Sequence, residues 1–190
     1  MSTRGIYGFR KNGTDKLTYN HSDSYPDWLG AKMVEFCAAT GIAELNGVYD
    51  RIELVNEDEQ PTPEQIIDCI AFADTSVGTG RLNDWYCLLR DLQGYPQKWL
   101  NIDGKIYMTD DAAFITDSLF CEYGYIVNLD TNKLEFWVGF QKSPDDTNRY
   151  GNQPNEDGYY PCRLVKEYSI RNLRAEKADS IVADMNKRVK

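Results

Sequence analysis

The residues with the clearest potential for chemistry in this sequence lie around its single histidine, near the N-terminus. His21 stands in the segment YNHSDSYP at positions 19–26, where a β-prone run gives way to a helix. A histidine with an aspartate two residues further on can act as an oriented general base, and the planar fork of Arg4 suits a carboxylate or a phosphate. Hydrogen bonds from Asp23 and Ser24 to the backbone of a turn explain the segment equally well. The candidate catalytic residues are Arg4, His21, Asp23 and Tyr25.

A second candidate site is an acidic run in the first half of the chain. Between Asp50 and Asp68 stand seven acidic residues and a single base, Arg51. Such a run is typical of a solvated helix face and loop, and it is also what a docking surface for a basic partner would require. The candidate partner-binding residues are Asp50, Glu53, Glu57, Asp58 and Glu59.

The charge of the chain is unevenly distributed. The net charge is −9, but residues 163–190 hold eight Lys or Arg against four Asp or Glu, a surplus of +4, so residues 1–162 carry −13. A body of this charge repels nucleic acid, and only the basic segment 171–190 could attract it. Because that segment also carries an apolar stripe expected to pack on the body, direct nucleic-acid binding is disfavoured.

The sequence predicts neither a metal site nor a cofactor. With one histidine and five cysteines that lie far apart, no pattern of zinc ligands is present. Residues 146–157 match a calcium loop at three positions, but Tyr150 stands where a fifth-position carboxylate is needed and no helix flanks the loop. Residues 78–81 (GTGR) lack the third glycine and the lysine of a phosphate-binding loop. The cysteines are interpreted as reduced packing residues.

Two hairpins are expected to frame the fold. Strands over 4–10 and 15–21 flank Asn12-Gly13, which supplies the positive φ angles of a type I′ turn. The aromatic and β-branched runs 120–129 and 133–141 flank a second turn. Further strands are predicted over 105–108 and 159–170, and an exposed loop over 143–158.

Helical segments are expected between and after the hairpins. Leu29, Met33, Phe36 and Cys37 recur at helical spacing. Thr62 and Gln65 form a capping-box pattern that starts a helix at Pro63 and carries it to about Ala73. The remaining segments are a helical or turn-rich stretch over 42–55, a helix over 81–93 that Gly94 ends, and an amphipathic helix over about 174–189.

These elements predict an α+β fold in one domain, residues 1–190. Its sheet is largely antiparallel and built from hairpins, with helices packed on it and the amphipathic helix at the C-terminal end. No run of about 18 uncharged apolar residues occurs, and no apolar stretch follows Met1. We therefore expect a cytoplasmic protein without a membrane partner.

The strings TRGIYGFR at 3–10 and YNHSDSYP at 19–26, the Asn12-Gly13 turn and Gly30 resemble a family of uncharacterised phage and prophage proteins. Those proteins also open with Thr-Arg, a hairpin and a segment like H-x-D-x-Y-P. The resemblance covers about the first thirty residues and, more loosely, the hairpin from Tyr125 to Phe136. It implies a phage origin, and hence the cytosol of a bacterial host, but no particular activity.

The tetrad Gly5-Ile6-Tyr7-Gly8 is similar to the start of the N-terminal nucleophile (class II glutamine) amidotransferases, where cysteine precedes Gly-Ile-aromatic-Gly. Here Arg4 holds the position of the nucleophile, and a guanidinium supplies neither a nucleophile nor a base. If Met1 is removed, Ser2 becomes terminal, two residues out of register. The resemblance implies an amidotransferase-like fold, whereas Arg4 argues against amidase chemistry.

Two functions follow as hypotheses. The first is a non-enzymatic, acidic interaction protein of phage or mobile-element type that binds and inhibits a basic host protein such as a defence nuclease, in an anti-CRISPR-like or other anti-defence role. The second is a hydrolase or transferase with an amidotransferase-like fold and a site near Arg4, His21 and Asp23. A cleft shared by these side chains would favour the second hypothesis.

Overall fold

The computed structural model describes residues 2–173 and 177–189, and its central feature is a five-stranded sheet. The strand order is β2-β1-β5-β6-β7, and every neighbouring pair is antiparallel except β1 with β5, which is parallel. A separate parallel pair joins β3 and β4. The strands are β1 (Gly5–Lys11), β2 (Thr14–Asn20), β3 (Ile52–Val55), β4 (Ile106–Thr109), β5 (Tyr123–Asn128), β6 (Lys133–Val138) and β7 (Arg163–Ser169).

Both predicted hairpins are confirmed, and their turns lie side by side. Asn12 and Gly13 have φ angles of 53° and 73°, as a type I′ turn requires. Their backbone N–H groups donate to the carboxylate of Asp130, in the second turn, at 2.6 and 3.0 Å. These hydrogen bonds lower the pKa of Asp130. The Asp130 side chain thus joins the turns of the two hairpins, whose strands β1 and β5 are paired in parallel.

Five α-helices occur in the described part of the chain: α1 (Ala31–Ala39), α2 (Ile42–Arg51), α3 (Pro63–Cys69), α4 (Trp85–Leu88) and α5 (Ala178–Arg188). A π-helical turn over Pro26–Gly30 leads into α1. The predicted stripe is confirmed, because Leu29, Met33, Phe36 and Cys37 are all buried. The capping box of Thr62 and Gln65 is also confirmed at the start of α3. The α+β class and the largely antiparallel sheet are therefore as the sequence predicts.

The predicted C-terminal helix is confirmed for α5, while residues 174–176 of its expected range lie outside the described residues. Ala178 and Met185 are buried in the main core, and Val182 is buried as well, as the apolar spacing of the helix requires. Across residues 2–173 and 177–189, none of the helices combines the length and apolarity needed to cross a membrane.

Trp99 is the centre of the core on the helical face of the sheet. Its side chain is 2% exposed and is stacked on Tyr7, with ring centroids 5.4 Å apart. The rings of Phe9 and Phe36 lie at 5.7 and 5.9 Å, within the range where aromatic pairs attract beyond simple burial. This cluster joins the interior strand β1 to α1.

The opposite face of the sheet contains a buried charge. Glu135, on β6, is 1% exposed and forms a bidentate pair with Arg149 at 2.8 and 2.6 Å. Asn128 and Trp137 also donate to its carboxylate, at 2.7 and 3.0 Å. Burial opposes the charge of Arg149, but the hydrogen bonds to Glu135 raise its pKa above the usual value. The pair meets the condition under which a buried charge is tolerated, which is complete hydrogen bonding.

The same network holds the long loop before β7. Tyr150 is half-buried, and its hydroxyl donates to Asp15 at 2.9 Å, while Asp15 pairs with Arg10 at 2.9 Å. The predicted exposed loop over 143–158 is confirmed, because it contains neither helix nor strand and none of its residues is fully buried. Arg149 and Tyr150 turn inward because the sheet offers them Glu135 and Asp15.

Two helix predictions need correction. The stretch over 42–55 is helical only to Arg51, because Ile52 to Val55 pair with β4 as a strand. The helix over 81–93 is wrong outside Trp85–Leu88. The carbonyl of Cys87, which a longer helix would offer to Asp91, accepts from Asp74 N–H at 2.9 Å, and Asp91 N–H donates to Phe72 instead. Long-range hydrogen bonds have replaced the helical ones.

The five cysteines are free and buried, which confirms their prediction as reduced packing residues. Burial raises the pKa of the Cys69 thiol to about 12, and it also raises the pKa of Cys37. Since the thiolate is the reactive form of cysteine, these groups are inert at neutral pH.

Candidate functional site

A pocket lies where the edge strand β2 of the main sheet meets β4 and the segment around α4. It encloses about 50 Å³ that the centre of a water molecule can reach. Six aromatic residues line it, together with two carboxylates and two threonines: Tyr7, Tyr19, Trp85, Tyr86, Trp99, Tyr107, Glu57, Asp111, Thr18 and Thr109. We call this the β2–β4 pocket. No lysine or arginine is found among the described residues that line it.

Asp111 closes the edge of the sheet and forms one side of the pocket. Its backbone N–H donates to the carbonyl of Leu17 at 3.0 Å. Its Oδ2 atom accepts from Tyr19 N–H at 2.8 Å and from the Thr109 hydroxyl at 2.6 Å. The exposed edge of β2 is thereby covered, as sheet edges generally must be. Asp111 is held by these three hydrogen bonds, one from its backbone and two to its carboxylate, and so keeps a fixed position at the pocket.

Glu57 lies at the mouth of the pocket, in the loop after β3. Partial burial raises its pKa, and the negative charges of Asp111, Asp84 and Asp58 raise it further. Asp84 shows the opposite shift: although burial opposes its charge, hydrogen bonds from Thr79, Cys87 and Tyr86 lower its pKa. Carboxylates therefore crowd around the mouth, and their negative charges disfavour the charged form of Glu57.

Replacing Glu57 with glutamine is expected to stabilise the protein at neutral pH. A carboxyl group whose pKa is raised on folding stabilises the folded protein at pH values below its pKa in the unfolded chain. This stabilisation is lost as the pH rises through its pKa in the folded protein, and glutamine has no such charge to lose. The urea midpoint of Glu57→Gln should therefore exceed that of the wild type at about pH 7 and equal it at about pH 3.5.

Glu59→Gln is the control for this prediction, because Glu59 belongs to the same loop but does not line the pocket. Its midpoint should follow the wild type at both pH values. A Glu57→Gln protein that is less stable than the wild type at neutral pH would contradict the proposed environment of Glu57.

The aromatic residues divide into a buried floor and a more accessible rim. Tyr7, Trp85 and Trp99 are at most 2% exposed. The Tyr7 hydroxyl donates to the Leu92 carbonyl at 3.2 Å and accepts from Gly94 N–H at 2.8 Å, and burial raises its pKa. The floor is therefore fixed by packing and hydrogen bonds, as a preformed binding site would be.

Two basic residues lie near the pocket without lining it. The guanidinium of Arg90 is 5.8 Å from the centre of the Tyr86 ring and donates to Gln93 at 2.9 Å. The charge of Arg4 lowers the pKa of Tyr19, although burial, the larger influence, raises it. Neither base forms an ion pair with Glu57 or Asp111 in the described residues.

The four candidate catalytic residues have different neighbours, and none of them lines the β2–β4 pocket. Arg4 lies over the ring of Phe120 at 4.9 Å. Asp23 has a φ of 56° in the turn before the first helix, and the ring of Tyr25 is 6.3 Å from that of Tyr123. Among the described residues, these contacts do not gather the four side chains around one pocket, and the hydrolase or transferase hypothesis remains a prediction.

His21 comes closest to the pocket. It is exposed, and its Nδ1 atom lies 3.2 Å from the hydroxyl of Tyr19. Its ring also meets that of Tyr86, with centroids 6.2 Å apart. His21 thus contacts two lining residues, Tyr19 and Tyr86, but does not itself line the pocket.

The acidic run divides into paired and unpaired parts. Asp50 pairs with Lys11 at 2.7 Å, and Glu53 pairs with Lys105 at 2.6 Å. Glu57, Asp58 and Glu59 are exposed and take part in no ion pair among the described residues. We call residues 57–59 the acidic loop. Of the five candidate partner-binding residues, these three keep an uncompensated charge.

Sequence reasoning missed most of the pocket. Glu57 was a candidate only as part of the acidic run, while Thr18, Tyr19, Thr109 and Asp111 were not considered. A signal was present, because Thr109-Asp110-Asp111 follows directly after the short run predicted as a strand over 105–108, and polar groups at strand ends often form sites. Nothing in the spacing indicated that this strand end would meet β2.

No cluster of histidine, cysteine and acidic side chains suited to a metal ion occurs in residues 2–173 and 177–189. No family model, curated protein or solved structure matches this chain. The resemblances to phage proteins and to amidotransferases therefore remain predictions from the residues quoted above.

Proposed function

We propose that this chain is a non-enzymatic interaction protein of phage or mobile-element type that binds a basic host protein and inhibits it. The observation that carries the proposal is the unpaired acidic loop beside a pocket whose own charged groups are carboxylates. A defence nuclease is the expected kind of target, in an anti-CRISPR-like or other anti-defence role. The bacterial cytosol is where the two proteins would meet.

The distribution of charge supports an acidic docking surface. Asp58 and Glu59 extend outward from the loop, and Glu57 and Asp111 continue the negative charge into the pocket. Charges of one sign around a concave site focus the electric field and speed the approach of a partner of opposite sign. A basic partner would therefore be steered to the β2–β4 pocket.

The same surface suggests how inhibition would work. A nuclease holds the phosphates of its substrate with lysine and arginine side chains, and these contacts dominate its affinity for nucleic acid. An acidic surface that occupies such a channel competes with the substrate for the same bases. Inhibition would then be relieved by excess nucleic acid and by salt.

Charge reversal of the acidic loop tests the proposal. A tagged chain would be used to capture proteins from a bacterial lysate, and a retained basic protein would be purified and its affinity measured at low and high salt. We expect Asp58→Lys/Glu59→Lys to weaken binding about tenfold or more at low salt, because the complementary charges are lost. Inhibition of the partner's nuclease activity should decline in parallel.

Glu156→Lys/Asp157→Lys is the matched control, since it makes the same change in net charge at exposed acids of the loop before β7. It should leave the affinity within about twofold of the wild type, apart from a general charge effect. Equal losses in the two variants, or binding that survives both high salt and reversal of the acidic loop, would refute the proposal.

A further inference from the structure

Two properties of the β2–β4 pocket favour positive charge. The faces of aromatic rings carry negative potential and attract cations, most strongly when the site is shielded from water. Trp85 and Tyr107, at 2% and 5% exposure, provide such shielded rings. The carboxylates of Glu57 and Asp111 add full negative charges at the same place. Rings and carboxylates therefore select the same class of ligand, an organic cation.

The protein already holds one of its own cations between aromatic rings. The Nζ atom of Lys32 is buried without a hydrogen-bond partner in the described residues. It lies 4.3 Å from the ring centre of Trp28 and 3.4 Å from that of Tyr95. Among the rings that line the pocket, by contrast, only that of Tyr86 has a cation of the described residues over it, the guanidinium of Arg90 at 5.8 Å. The other five rings of the pocket have no such occupant within the described chain.

The size and shape of the pocket indicate which kind of organic cation it would bind. The space open to water-sized groups is small, about 50 Å³, which suits a group of a few heavy atoms such as guanidinium rather than a larger ligand. Guanidinium is planar, stacks on aromatic faces and presents paired N–H donors to a carboxylate, whereas ammonium is compact and strongly hydrated. Aromatic faces and the fixed carboxylate of Asp111 suit the planar group better.

We propose that the β2–β4 pocket binds the guanidinium group of an arginine side chain, inserted by the basic partner on which the proposed function rests. The rings of Trp85 and Tyr107, which have no cation of the described chain over them, would stack on the plane of the guanidinium. Glu57 and Asp111 would accept its N–H groups. The arginine would then be the anchor of the interface, with the acidic loop as its rim.

The pocket can be tested without the partner. N-acetyl-arginine amide would be titrated into the protein, with the backbone amide signals of Tyr19, Glu57 and Asp111 followed by NMR. We expect saturable shifts for this probe and none for N-acetyl-citrulline amide, which has a similar shape but no charge. Glu57→Gln should weaken binding about tenfold, and Tyr107→Leu about fivefold.

Asp58→Asn is the matched control, because Asp58 neighbours Glu57 but does not line the pocket; its affinity should stay within about twofold. Equal binding of the citrulline probe, tighter binding of N-acetyl-lysine amide, or an unchanged affinity in Glu57→Gln would overturn the inference. If the partner binds while pocket variants leave its affinity unchanged, the inference fails and the proposed function stands. If the arginine probe binds but no basic partner is inhibited, the proposed function fails.

Discussion

Replacing Glu135 with alanine is expected to lower the free energy of unfolding by about 3–5 kcal/mol. The change leaves the half-buried guanidinium of Arg149 without its counter-charge, and it removes the acceptor used by Asn128 and Trp137. An unpaired charge in such a place costs far more than the pair itself contributes. Urea denaturation, followed by tryptophan fluorescence, measures the effect.

Glu167→Ala is the matched control for Glu135→Ala. Glu167 stands directly opposite Glu135 in the β6–β7 pairing and pairs with Lys133 at 2.8 Å, but both side chains are more than a third exposed. Its loss should amount to less than about 1 kcal/mol. Equal losses in the two variants would contradict the burial of the Glu135 charge.

A double variant separates the charge from the packing of the site. Replacement of a buried ion pair by apolar residues of similar volume is often neutral. Glu135→Leu/Arg149→Met should therefore be more stable than Glu135→Ala. If the double variant is the less stable of the two, the contacts of Arg149 with Trp137 and Tyr150 outweigh the cost of its unpaired charge.

Replacing Trp99 with alanine is the second change with a large expected effect, about 3–5 kcal/mol in the free energy of unfolding. The indole contacts Tyr7, Phe9 and Phe36, so its removal leaves a cavity at the centre of the main core. Trp99 also forms part of the pocket floor. The variant should therefore lose affinity for N-acetyl-arginine amide as well as stability.

Trp28→Ala is the control, because Trp28 is 48% exposed and its main contact is with the Lys32 ammonium. Its expected loss is less than about 1 kcal/mol. A Trp99→Phe variant should fall between the wild type and Trp99→Ala, since a phenyl ring keeps part of the aromatic contact. A Trp99→Ala protein as stable as Trp28→Ala would contradict the packing described.

Local signals explain what the sequence predicted correctly. Asn12-Gly13 and the Thr62–Gln65 capping box act through neighbouring backbone, so their structures follow from residue type alone. The segment 81–93 failed for the opposite reason. Its carbonyl and N–H groups bond to Asp74 and Phe72, and such distant partners cannot be inferred from the spacing of apolar residues along the chain.

The candidate site was harder to predict than the fold. The acidic loop was visible as a run of charge, but the partners of Asp50 and Glu53 were not, because Lys11 and Lys105 are far away in sequence. Asp111 bonds to Tyr19 across a separation of 92 residues. Pockets between distant segments depend on the tertiary fold, which spacing along the chain does not reveal.

Because β1 pairs with β5, which is synthesised much later, the sheet cannot be completed early in biosynthesis. The first hairpin emerges from the ribosome long before β5 is made, so one side of β1 must wait with unpaired N–H and C=O groups. Hairpins form within about 1–10 μs, whereas contacts between distant segments form far more slowly. An open strand edge is a template for pairing with other chains. The nascent protein is therefore most exposed to aggregation and to chaperones until Asn128 has been translated.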